Sequence, residues 1–146
     1  MTRIERIVAR ARTSEIQAIA IYEAEVFWIR RPLRRAILLE ILHEERTHED
    51  DLRPWGPLGQ VSLSLNRSAG WVIGSVLSIL PWKWMCRVQA WAERAAAQIY
   101  SDALSEVLSA TDDRSRIRAL EDRLAHARDQ ELVHASRFQQ RQILDR

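Results

Sequence analysis

The sequence predicts an all-α fold, a four-helix bundle forming a single domain over residues 1–146. Three observations predict it. Ala, Leu, Arg and Glu dominate while Gly and Pro number four each, and the dominant side chains lose little rotamer freedom in a helix. Apolar residues recur at steps of three and four along most of the chain, the period of one helix face. No strand signal competes, because the one alternating stretch, Val61 to Leu65, has no second strand to pair with. A chain of this length can bury a core without staples. Its one cysteine, Cys86, rules out an internal disulfide and a Cys-based zinc site.

Period and punctuation place the helices in order. The first is expected from Thr13 or Ser14 to Ile29, with Ser or Thr as N-cap. Pro32 interrupts, and a second helix from Leu33 to Leu52 is ended by Pro54, Gly56, Pro57 and Gly59. A linker over Arg53 to Asn66 is expected next. A third segment from Ser68 to Ser109 carries a kink or break at Pro81, and its apolar start forms a hydrophobic extension. Thr111, Asp112 and Asp113 supply a turn and a cap for a fourth helix that runs to Leu144.

Lys and Arg number 22 against 20 Asp and Glu, a net charge of +2. That balance is too even for a dedicated nucleic-acid binder, so no nucleic-acid partner is expected. Arg30, Arg31, Arg34 and Arg35 around Pro32 form a local basic patch, which suits a solvated helix junction or acidic lipid headgroups. The Arg-rich start lacks the apolar stretch of a secretory signal, and Glu5 is foreign to a transit peptide. No run reaches the roughly 18–20 apolar residues that span a bilayer.

The chemistry is carried by two Glu-x-x-His motifs, Glu45-Arg46-Thr47-His48 and Glu131-Leu132-Val133-His134. Residues i and i+3 share a helix face, so each motif aims a carboxylate and an imidazole at one point. Both motifs lie within apolar seams. One reads Leu38, Ile41, Leu42, Glu45, His48, Leu52, and the other Ile117, Leu120, Leu124, Ala127, Glu131, His134, Phe138. A carboxylate buried in such a seam costs several kcal/mol unless a cation accompanies it, and neither seam contains an arginine. The first helix adds Glu15, on one face with Ile19, Tyr22 and Val26. The third adds Glu93, on one face with Cys86, Ala96, Ala97, Tyr100 and Leu104. One Glu from each of two helices plus Glu-x-x-His from each of the others is the ligand pattern of ferritin-like di-iron or di-manganese bundles. Oxygen and imidazole ligands suit either metal. Glu23, Glu25, Glu40, Glu44 and Glu49 fall off the seams and are expected to face solvent, as are His43 and His126.

With the six ligands placed, the chain resembles the demethoxyubiquinone hydroxylase family of quinone biosynthesis. Arg3-Ile4-Glu5-Arg6-Ile7 with Ser14-Glu15-Ile16 and Ile21-Tyr22 is similar to that family's first-helix motif, "R-I-x-R-V…G-E-x-x-A…I-Y". His43-Glu44-Glu45-Arg46-Thr47-His48 resembles "D-Q-E-x-x-H". Ala92-Glu93 with Tyr100 resembles "V-E-E-S-I-A-x-H-Y", and Arg128-Asp129-Gln130-Glu131-Leu132-Val133-His134 resembles "R-D-E-E-x-x-H". Arg12-Thr13-Ser14, Arg94 and Gln98-Ile99 depart from the pattern without removing a ligand. The resemblance implies a pair of irons. Glu15 and Glu93 would be terminal ligands, Glu45 and Glu131 bridging and catalytic carboxylates, and His48 and His134 one imidazole per iron. It further implies a monooxygenase that uses dioxygen and an electron donor to hydroxylate the ring of a prenylated quinone.

Trp71 to Trp91 is rich in Trp, Val, Ile and Leu, with Lys83 and Arg87 among the aromatics. It is too short to span, and it fits either a buried helix or an interfacial one. The insoluble tail implied for the substrate favours the interface. The expectation is a peripheral protein on the cytoplasmic face of a bacterial inner membrane, ahead of the mitochondrial inner membrane. Homo-oligomer formation is left open. Two other functions share the ligands: a ferroxidase or iron-binding protein, and a lipid-binding accessory protein with a structural di-metal site.

Overall fold

The structure is a computed structural model and describes residues 2–109 and 114–142. Five helices succeed one another: α1 Arg3–Trp28, α2 Pro32–Leu52, α3 Gln60–Ser78, α4 Trp82–Leu108 and α5 Arg114–Arg141. A single 3-10 turn, Arg53–Trp55, follows α2. No strand occurs among the described residues, which agrees with the expected all-α, ferritin-like class. The expected turn at Thr111–Asp113 and the end at Leu144 lie outside the described residues.

Two boundaries differ from expectation. First, α1 begins at Arg3, about three turns before Thr13. The cause is a capping box: Glu5 N donates to Thr2 Oγ1 (3.1 Å) and Thr2 N donates to Glu5 Oε2 (2.7 Å). Second, the linker stops at Gly59, and Val61 to Leu65 is the opening of α3. Its backbone is already helical there, with Leu63 N donating to Gly59 O. At Pro81, where a kink or break was expected, the structure has a break, and the segment is two helices. Pro81 has extended backbone (φ −53, ψ 136) and no N–H to continue the ladder, so α3 ends at Ser78 and α4 starts at Trp82. Pro32 acts in the same way as the first residue of α2.

The chain falls into two compact units, one of residues Arg12–Leu80 and one of Met1–Ala11 with Pro81–Arg146. In the first unit, α2 buries Ile37, Leu38, Ile41, Leu42, Glu45, His48, Glu49 and Leu52. Here α3 crosses α1 at two glycines. A Cβ on Gly70 would stand 2.6 Å from Gln17 O and 2.7 Å from Ala20 Cβ, and one on Gly74 would overlap Ile21 O and Ala24. Glycines four apart over alanines four apart let the two backbones approach closely. The outer face of α3 stays exposed at Val61, Leu65, Val72, Val76 and Ile79. Beside it, the Phe27 ring meets Trp71 at 5.7 Å and Trp28 at 4.9 Å.

In the second unit, α4 and α5 pack along their lengths as an antiparallel pair: Arg87 reaches Gln142, and Glu93 lies beside His134. The start of α1 joins the far end of α4, with Arg3 bonded to Ser109 and Arg10 facing Glu106. Every residue of the predicted seam from Ile117 to Phe138 is buried. The tryptophans divide: Trp82 is core, whereas Trp84 and Trp91 are exposed, as is Trp71 in the first unit. No described helix is long and apolar enough to cross a membrane.

Candidate metal centre

Each unit gathers its own set of one glutamate and one Glu-x-x-His motif. In the unit of residues Arg12–Leu80, α1 supplies Glu15 and α2 supplies Glu45 and His48. One ligand atom from each lies within 4.8 Å of the others. Glu15 and Glu45 are each 1% exposed and His48 is 2% exposed. His48 Nδ1 stands 3.7 Å from Glu15 Oε2. The i, i+3 spacing of Glu45 and His48 is what turns both toward α1.

In the other unit, α4 supplies Glu93 and α5 supplies Glu131 and His134, with ligand atoms again within 4.8 Å of one another. All three are buried. His134 Nδ1 stands 3.7 Å from Glu93 Oε2 and 3.9 Å from Glu131 Oε2. The two sets therefore share composition, burial and even the distance from the imidazole to the glutamate of the neighbouring helix, Glu15 or Glu93. All six predicted ligands fall into them.

These donors fit a metal ion. Distances of 3.7–3.9 Å are too long for hydrogen bonds. They fall inside the span of about 4.2 Å open to two ligands that each stand about 2.1 Å from one ion. Two buried carboxylates this close repel unless a cation or proton lies between them. Carboxylate oxygens with one imidazole make a donor set suited to a first-row divalent ion.

Two acids expected at the surface are instead buried, Glu25 at 0% and Glu49 at 6% exposure. For Glu49 the physical reason is visible. Arg12, itself 5% exposed, donates from Nε (3.2 Å) and Nη2 (2.5 Å) to Glu49 Oε1. Arg53 donates from Nε (3.1 Å) and Nη2 to Glu49 Oε2, and Arg12 Nη1 donates to Gly56 O. Burial pushes the Glu49 carboxyl up, but the hydrogen bonds from Arg53 and Arg12 outweigh it and hold the group below the usual carboxylate range. His43, His126 and Glu40 are exposed, as expected, and Glu23 and Glu44 are partly exposed.

A family model described as "Ubiquinone biosynthesis protein COQ7" matches residues 2–142. The chain belongs to this family. The match runs through both ligand sets and all five helices, and it bears out the resemblance read from the motifs. COQ7 membership supports a role in ubiquinone biosynthesis. No curated protein and no solved structure matches the chain.

Proposed function

We propose that the chain is a dioxygen-dependent di-iron monooxygenase that hydroxylates the ring of a polyprenylated quinone or quinol in ubiquinone biosynthesis. The carrying observation is the pair of buried Glu plus Glu-x-x-His sets in a COQ7-family chain. In this reading Glu15, Glu45 and His48 hold one iron, Glu93, Glu131 and His134 hold the other, and the whole chain works as one domain. Glu45 and Glu131 would be the catalytic carboxylates that the family pattern implies. When bound, the irons would supply the reduction of dioxygen: one oxygen atom inserts into a ring C–H bond to give a hydroxyl, and the other leaves as water, with two electrons from a donor and two protons.

The protein's own contribution is placement and exclusion. Glu15 and Glu93 bring negative charge that favours the metals, and the two imidazoles fix one ligand direction each. Near-complete burial of all six keeps bulk water from the reacting centre. A prenylated substrate resides in lipid, and this chain offers apolar surface to it. On α3 the exposed residues are Val61, Leu65, Val72, Val76 and Ile79, and on α4 they are Trp84, Val88 and Trp91, with Arg87 stacked 4.8 Å over the Trp84 ring. Exposed Trp beside Arg suits the interfacial layer of a bilayer. Peripheral attachment to the cytoplasmic face of a bacterial inner membrane follows from this reading.

The test is anaerobic loading with ferrous ion, then addition of a reductant, oxygen and a short-tailed quinone analogue, with product mass measured. A gain of one oxygen atom, labelled when labelled dioxygen is used, supports hydroxylation. Oxidation of the iron with no change in the quinone contradicts it.

A further inference from the structure

Three helix faces of the Arg12–Leu80 unit converge on a cleft of about 790 Å³ that the metal chemistry does not use. They follow helical spacing: Arg12, Ile16, Ile19 and Glu23 from α1, Arg46, Glu49 and Asp50 from α2 with Arg53 just beyond its end, and Leu63 and Arg67 from α3. Residues so placed ordinarily fill a core. Here they leave an open slot with an apolar floor, made by Ile16, Ile19 and Leu63, and an arginine–glutamate–arginine clamp at each end.

The two clamps differ in charge. At one end Arg12 and Arg53 face Glu49, and Arg53 also pairs with Asp50 (2.7 Å), so cations and anions balance. At the other end Arg46 and Arg67 share Glu23 alone, at 2.9 and 3.1 Å, which leaves one positive charge in excess. Each of these two arginines reaches Glu23 through Nη2 only, and their side chains are 55% and 64% exposed. A guanidinium carries five N–H donors in a planar fork that matches a carboxylate or phosphate. Two half-used forks beside an apolar floor match one ligand chemistry.

We propose that this cleft binds an amphiphile whose phosphate headgroup carries net negative charge, the phosphate held by Arg46 and Arg67 and the apolar body lying on Ile16, Ile19 and Leu63. An anionic phospholipid and a soluble phosphate monoester share the headgroup chemistry. The exposed apolar face of α3, the helix that carries Leu63 and Arg67, favours the lipid. The site stands independently of the iron reading, because none of its residues is among the six proposed ligands.

Calorimetric titration of the full chain with dihexanoyl phosphatidylglycerol, below its micelle concentration, tests the assignment. One binding site is expected, with affinity falling as salt rises. Dihexanoyl phosphatidylcholine and glycerol 3-phosphate should each bind at least tenfold more weakly. The double variant Arg46→Gln/Arg67→Gln should lose roughly tenfold, the scale of two solvent-exposed charge pairs. Glu23→Gln removes the internal competitor and should tighten binding severalfold, a gain that misfolding cannot produce. Equal binding of the choline lipid overturns the anion site, and equal binding of glycerol 3-phosphate overturns the amphiphile assignment. Unchanged affinity in the double variant, or unchanged or weaker binding by Glu23→Gln, overturns the role of the two arginines.

Discussion

Glu45 and Glu49 stand one turn apart on α2, both buried, and their surroundings are opposite in sign. Glu49 is enclosed by Arg12 and Arg53, so its charge is balanced by side chains of the chain itself. Glu45 is gathered with a second carboxylate, Glu15, and the imidazole of His48. Burial alone therefore does not mark a metal ligand. What sets Glu45 apart is that it is collected with another acid and a histidine, an arrangement that a bound cation would stabilise. The same logic holds in the second unit at Glu93, Glu131 and His134.

The comparison can be broken most forcefully by removing metal. Iron-loaded protein should unfold at a clearly higher temperature than chelator-treated protein, because a ligand present at about 1,000 times its Kd adds roughly 4 kcal/mol. Scanning calorimetry with and without iron measures this. Equal melting temperatures would place Glu45 in the same class as Glu49.

Next in size is Glu49→Ala. It strands the buried Arg12 guanidinium, and breaking such a pair costs about 3–5 kcal/mol. The loss should appear as a lowered denaturation midpoint in urea, while iron bound per folded chain stays as in the parent. A matching loss of iron would show that Glu49 belongs to the metal centre after all.

How much of this was legible in the sequence depends on the range of the interaction responsible. The seams Leu38–Leu52 and Ile117–Phe138 were readable, because burial at steps of three and four is a local property of one helix. The six candidate ligands stood out for the same reason: each interrupts an apolar face with an acid or a histidine. Glu49 was missed because its explanation, Arg12, lies thirty-seven residues away on another helix. No period in α2 announces that pair. Glu25 is buried without a local signal of the same kind. The early start of α1 did leave a signal, the Thr2-x-x-Glu5 capping box, which the arginines around it obscured. At α3 the alternation of Val61 to Leu65 hid a helix whose first turn is exposed on its apolar side. The division of the tryptophans into one core and several surface residues around Pro81 is likewise set by tertiary packing.

Smaller effects probe what holds the helices that carry the candidate ligands in place. Gly74→Ala sets a methyl group against Ile21 O and Ala24. Overpacking of this kind costs about 1–3 kcal/mol, while Gly59→Ala, with open space around it, should cost far less. Paired denaturation curves decide this, and equal midpoints would mean that α3 is not pressed against α1 at that crossing. Smallest of all, His43→Ala and His126→Ala should change neither iron content nor stability beyond about 0.5 kcal/mol, as is usual for exposed positions. A drop in bound iron in either variant would enlarge the ligand set.

In the proposed reading, each of the two sets of buried side chains supplies ligands to one iron. Anaerobic titration with ferrous ion, followed by metal analysis of the desalted protein, tests it most directly. The account predicts two irons per chain for the parent and loss of that stoichiometry in both Glu45→Ala and Glu131→Ala. A parent that retains no iron, or variants that still retain two, would contradict it.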